Sequence, residues 1–144
     1  METELLIENL LQLKQGKKVH IPVYDYHKHV RLKETLLIKQ CKVIIVEGIL
    51  IFSVKELREL FDLKIFIDVD CDIRFIRRLK RDTVHRGRSL NSVEKQYSQS
   101  VKTMHKKYVE KTKYYADLVF FDSLNKAVLN LIIIKILDIC KIED

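Results

Sequence analysis

Leu6, Leu10 and Leu13 recur at helical spacing, and Gly16 stands where a helix ends, so the pattern predicts a helix over residues 3–15. Alternation around Val19-His20-Ile21 and again over 35–38 predicts a β-hairpin-like excursion across 19–38, with a polar tip at 27–33. The run Val43-Ile44-Ile45-Val46 is continuously apolar and β-branched and ends in Glu47-Gly48, the signature of a strand covered on both faces. A short helix over 54–61 leads to a second buried strand at Ile65-Phe66-Ile67, ending at Asp68. Helices follow over 72–85 and 92–108, separated by Gly87, then a strand over 118–121 and a closing helix over 124–140. Strands alternating with helices predict an α/β fold with a mainly parallel sheet. Ligands of such sheets lie beyond the carboxyl ends of the strands, where Glu47 and Asp68 are expected.

Composition narrows the class. With 144 residues, 47% hydrophobic and 33% charged, the chain fits one globular domain and not a disordered one. No apolar run approaches the roughly 20 residues needed to cross a bilayer, and acidic residues near Met1 do not suit a secretory leader, so the expectation is a cytoplasmic protein without a membrane partner. Cys41, Cys71 and Cys140 are odd in number and far apart, which suits reduced thiols better than disulfides or zinc.

The formal charge of +7 favours an anionic partner, and its placement says more than its size. Seven basic residues and one acid, Asp82, lie between Arg74 and Arg88. At ~100° per helical residue, Arg74, Arg77, Arg78 and Arg81 fall within an arc of about 100°, with Phe75, Ile76 and Leu79 roughly opposite. Guanidinium forks bind phosphate bidentately and stay protonated. A solvated basic face is the plain alternative. A nucleic-acid-binding helix ranks lower, because no stacking aromatics interleave with the arginines. His27-Lys28-His29 makes a poor metal motif without a third ligand.

Several segments, in order and at matching spacing, resemble the uridine–cytidine kinase family. They are Ile21-Pro22-Val23-Tyr24-Asp25-Tyr26, His29-Val30-Arg31, Glu34-Thr35, Val46-Glu47-Gly48-Ile49-Leu50 and Phe66-Ile67-Asp68-Val69-Asp70. They continue with Arg77-Arg78-Leu79-Lys80-Arg81-Asp82, Arg86-Gly87-Arg88, Gln96-Tyr97 and Lys113-Tyr114-Tyr115-Ala116-Asp117. The resemblance implies transfer of the γ-phosphoryl group of ATP, with magnesium, to the 5′-hydroxyl of a pyrimidine nucleoside. It implies that Tyr24 and His29 face the pyrimidine and that Arg78, Arg88 and Gln96 hold the nucleoside. Arg81 and Arg86 match lid residues that act on the triphosphate, and Glu47 matches an acid near the magnesium. The nucleoside-binding hairpin is then about 19–38 and the arginine-rich lid about 74–96. A homo-oligomer, or pairing with an intact kinase subunit, is the expected assembly.

A phosphate-binding loop requires two glycines flanking four residues and then Lys and Ser/Thr. Gly16, Gly48 and Gly87 are the glycines present, and none begins that pattern. The resemblance places this loop, its strand and the proton-accepting Asp ahead of the segment resembling Glu4. The expected fold is therefore a P-loop-kinase-like parallel sheet with flanking helices, missing its first (central) strand, as a single partial domain over 1–144. That strand belongs between 43–46 and 65–67, so their edges must pair directly, recruit another chain or remain loosely packed. Thr103 and Lys111 stand where the family commonly has proline, and Phe121-Asp122-Ser123 where it has Arg-Gly-Gly. Such a chain is expected to be inactive alone. The alternatives are a non-catalytic nucleoside-binding or regulatory partner of an intact kinase, and a basic nucleic-acid-binding domain.

Overall fold

Helix α1, Thr3–Lys14, buries Asn9, Leu10 and Leu13 along one face. It stops at Gly16, whose φ of 77° is left-handed. The Lys17 N–H returns to the Gln12 carbonyl and the Gly16 N–H to Leu13, which satisfies carbonyls the helix leaves open. The computed structural model describes residues 3–25, 30–122 and 125–142.

Strands β1, Val19–Asp25, and β2, Val30–Ile38, form an antiparallel hairpin. Residues 30–33, expected in the polar tip, belong to β2, while 26–29 lie outside the described residues. Register slips between Pro22 and Tyr24: Pro22 faces Thr35 and Tyr24 faces Arg31. Proline offers no N–H to a ladder, which suits an irregular edge.

The expected strand at 43–46 does not form. Its β-branched residues favour extended backbone, but a strand also needs a neighbour to take its hydrogen bonds, and none of the described strands does so. Ile45 is 85% exposed, the opposite of a strand covered on both faces. The expected helix at 54–61 shrinks to one turn, α2, Lys55–Arg58, whose Leu57 is fully buried. Arg58 caps the preceding turn by donating to the Phe52 carbonyl at 2.6 Å and stacks its guanidinium 3.7 Å over the Tyr115 ring.

Strand β3, Ile65–Asp68, pairs in parallel with β4, Leu118–Phe121, residue for residue. Helix α3, Cys71–Val84, leaves the carboxyl end of β3. Helices α4, Leu90–Gln96, and α5, Lys102–Tyr108, are joined without a break by a π-helical turn, Tyr97–Val101. A 3₁₀ segment, Glu110–Tyr115, feeds β4, and α6, Lys126–Ile142, closes the chain. The result is mixed α/β with a small parallel sheet and flanking helices, as expected for a fragment of a P-loop-kinase-like fold.

The core is thin. Among the described residues Leu10, Leu13, Val19, Phe52, Leu57, Val93 and Val109 are the buried hydrophobics. Ile67 and Phe121, on the paired strands, are 49% and 75% exposed. The accessible surface is 11374 Å², against about 7,800 Å² for a compact monomer of this mass. No described helix is long and apolar enough to cross a membrane.

Candidate nucleoside and anion site

Helix α3 is strongly amphipathic in charge, but its basic stripe does not act as one unit. Arg74 Nε donates to the Val69 carbonyl at 2.9 Å, and Arg77 donates to Asp122 at 2.8 Å. These two tie α3 to the sheet. Arg78 and Arg81 turn instead toward Asp82. On the expected apolar side, Phe75 packs at 4.6 Å against the Tyr97 ring, whereas Ile76 is exposed.

Asp82 is the residue that sequence reasoning passed over. It is the one buried residue of α3, with a side chain 1% exposed. Four guanidinium groups surround it. Arg81 and Arg86 reach Oδ1 at 2.9 and 3.3 Å, and Arg78 and Arg88 approach Oδ2 at 3.6 and 3.5 Å. Burial pushes the Asp82 carboxyl up, but the Arg81 hydrogen bond and the charges of Arg81, Arg78 and Arg86 outweigh it and hold it below the ordinary carboxylate value. The signal was present in the spacing, since Asp82 lies four residues after Arg78 and four before Arg86.

The backbone explains how Arg86 and Arg88 come back to a helix they have left. The His85 N–H closes α3 on the Arg81 carbonyl at 2.9 Å, and the Arg88 N–H bonds the Asp82 carbonyl at 3.0 Å. Gly87 makes the reversal at φ 61°, with no atom within 4 Å of where a Cβ would stand, so glycine is required by conformation and not by crowding. Ser89 then caps α4 by accepting from the Ser92 N–H.

That cap presents Gln96 to the arginines. Its Oε1 accepts from Arg78 at 2.9 Å and from Arg88 at 2.8 Å, and Arg88 also donates to Ser92 Oγ at 3.0 Å. Arg78, Arg88 and Gln96, matched separately in the sequence, thus meet at one oxygen. Ser92 is a second participant that the sequence reading missed. Arg78 Nε is buried without a hydrogen-bond acceptor.

The π turn begins directly after Gln96, and π turns inside helices recur at functional sites. It seats Tyr97 so that its hydroxyl donates to the Cys71 carbonyl at 3.0 Å, fastening α4 across α3. Near the end of β3, Lys113 donates to Asp68 at 2.6 Å, and that carboxylate holds the Lys113 ammonium above its ordinary value. Burial, then the charge of Arg74, pushes His105 down, while Glu110 and Asp68 pull the other way.

The other matched residues stand apart from this cluster. Tyr24 lies on β1, 45% exposed, opposite Arg31. His29 lies outside the described residues. Glu47 is exposed on the segment that fails to become a strand, so it does not mark a strand end, whereas Asp68 does. No group of three potential metal ligands exists among the described residues. Glu47 therefore has no cluster of metal-ligating side chains around it among the described residues.

An α/β layer thus carries a guanidinium cluster gathered about one buried carboxylate of the helix that follows a parallel strand. Residues 1–128 match the family model described as "Phosphoribulokinase / Uridine kinase family", and the chain belongs to that family. It is 46% identical over 136 residues to a uridine kinase of Staphylococcus haemolyticus, covering 94% of this chain and 66% of the relative. A uridine kinase of Clostridium novyi is 44% identical over 136 residues, covering 94% and 65%, respectively. A uridine kinase of Streptococcus agalactiae is 48% identical over 127 residues, covering 88% and 61%. The chain therefore spans a little under two thirds of the length of the curated relatives it matches.

Proposed function

We propose that this chain is the nucleoside-holding and lid portion of a uridine kinase-type phosphotransferase. It binds uridine or cytidine through Arg78, Arg88 and Gln96, and as a 144-residue polypeptide it does not transfer phosphate from ATP by itself. The observation that carries the reading is the single Gln96 oxygen accepting from both Arg78 and Arg88. Three polar side chains, from two helices and the turn between them, are thereby fixed in orientation before any ligand arrives, which lowers the ordering cost of binding. Tyr24, on the hairpin, and His29 supply the pyrimidine face, and Arg81 and Arg86 face the transferring phosphates. In phosphoryl transfer, arginines of that kind contribute about 10³–10⁵ to the rate once the nucleotide is seated. ATP and magnesium belong to the activity of the relatives, and these 144 residues hold no Gly-x-x-x-x-Gly-Lys-Ser/Thr segment to cradle the phosphates.

A partner role accompanies this reading. The unpaired 43–46 segment and the exposed Ile45, Ile67 and Phe121 support assembly with an intact kinase subunit or a second copy of this chain. Exposed free thiols at Cys41 and Cys71 suit a reducing cytoplasm. Isothermal titration with uridine, beside a coupled ATP assay, tests the proposal. Saturable uridine binding without turnover supports it, and absence of binding to either nucleoside refutes it.

A further inference from the structure

Asp82 is a buried carboxylate that no step of nucleoside recognition uses, and it sits at the centre of the charge that step depends on. Its two oxygens divide the arginines. Oδ1 takes Arg81 and Arg86, whose side chains are 50% and 46% exposed. Oδ2 takes Arg78 and Arg88, 25% and 31% exposed and already shared with Gln96. We infer that Asp82 is the positioning residue of this cluster: it gathers four guanidinium groups so that Arg81 and Arg86 are preformed to meet a polyphosphate chain while Arg78 and Arg88 stay with Gln96. This rests on the proposed function for the identity of the site and adds the group that assembles it.

Charge and geometry both point that way. One carboxylate leaves a residual charge of +3 on the cluster, and the half-exposed Arg81 and Arg86 are its most solvent-accessible members. Charge-assisted bonds between guanidinium and carboxylate settle at about 2.7–2.9 Å. Arg81 reaches that distance, whereas Arg86, Arg88 and Arg78 stand at 3.3, 3.5 and 3.6 Å. Asp82 is thus shared too widely to satisfy all four, and Arg78 Nε is left buried without an acceptor. The arrangement gathers the arginines without neutralising them. Remove the carboxylate and four like charges have no common centre; they spread into solvent, and a ligand must then order them itself.

The test uses inorganic tripolyphosphate and the full chain. Net charge alone predicts that Asp82→Asn binds this anion more tightly, because a negative charge is removed. Positioning predicts the reverse, a loss of about tenfold or more, since ordered hydrogen bonds to charged groups are given up. Asp117→Asn is the control: it makes the same charge change at the carboxylate paired with Lys64 at 3.0 Å, and it is expected to bind as the wild-type chain does or slightly better. If Asp82→Asn does not fold, the wild-type chain decides through the nitrogen-15 NMR signal of Arg81 Nε–H. That donor bonds Asp82 at 2.9 Å, and positioning requires its signal to persist, still protected, as tripolyphosphate saturates the site. Tighter binding by Asp82→Asn, loss of the Arg81 signal on saturation, or absence of tripolyphosphate binding to a wild-type chain that binds uridine overturns the inference. The last outcome leaves the nucleoside reading standing.

Discussion

Gln96→Ala tests the proposed nucleoside site with the least disturbance elsewhere. Gln96 is exposed, so its removal leaves no cavity, but its Oε1 is the acceptor that holds Arg78 at 2.9 Å and Arg88 at 2.8 Å. A hydrogen bond to a charged group contributes about 1.5–3 kcal/mol when sheltered. Both guanidinium groups retain some exposure, 25% and 31%, so water replaces part of what is lost. The two bonds together then cost roughly 1.5–3 kcal/mol of nucleoside affinity, or about 10- to 150-fold in Kd for uridine. Stability moves far less, within about 0.5 kcal/mol, as for other exposed positions. Titration calorimetry with uridine measures the first and urea denaturation the second. Gln96→Glu keeps the oxygen and retains binding within a few-fold, whereas Gln96→Asn is one methylene short of reaching both arginines and behaves like alanine. Wild-type affinity in a folded Gln96→Ala chain refutes the reasoning, as does full binding by Gln96→Asn.

Leu57→Ala, in the fully buried centre of a thin core, costs about 2–5 kcal/mol, while Ile134→Ala on the exposed face of α6 changes little; equal urea midpoints for the two contradict the account of the core. Stability falls as pH is lowered from 7.5 to 5.5. His105 titrates below its ordinary 6.5 when folded, so its contribution is complete above 6.5 and declines as the unfolded chain binds the proton first. His105→Gln flattens that limb, and a higher urea midpoint at pH 5.5 than at 7.5 for the wild-type chain disproves the assignment. Asp82, held below 3.8, adds a further loss only in stronger acid. Asp122 occupies φ 62°, left-handed backbone that aspartate tolerates and β-branched residues do not. Asp122→Val therefore costs about 1–3 kcal/mol in urea unfolding, and Asp122→Gly, which loses only the exposed pair with Arg77, stays within about 1 kcal/mol of wild type.

Local chemistry was legible wherever the chain decides its own conformation. Gly16 and Gly87 announced helix ends, where the folded chain takes left-handed backbone, Leu6, Leu10 and Leu13 announced α1, and β3, α3 and β4 appeared within a residue or two of their expected bounds. The segment at 43–46 misled because β-branched residues report a preference, while pairing depends on a neighbour that its own pattern cannot supply. The helix expected over 92–108 hid a π turn at 97–101, where Tyr97 is drawn to Phe75 and Cys71 of α3, a tertiary influence that helical spacing does not reveal. In the site, spacing placed Arg78 and Arg81 on one arc but could not show that Arg74 and Arg77 on the same arc are held by Val69 and Asp122. Asp82 was visible as a lone acid among bases, with Arg78 and Arg86 at helical spacing from it, yet the return of Arg88 beyond Gly87 to cover it is displayed only by the folded chain.

By the proposed function, these 144 residues grip a pyrimidine nucleoside yet hold no Gly-x-x-x-x-Gly-Lys-Ser/Thr loop with which to transfer phosphate from ATP. Purified protein of verified intact mass, supplied with uridine, ATP and magnesium, is to be followed for uridine monophosphate formation, with uridine binding measured on the same sample. The account predicts saturable uridine binding and no product above background. Product formed at the ordinary enzymatic rate of about 1–10³ per second contradicts it.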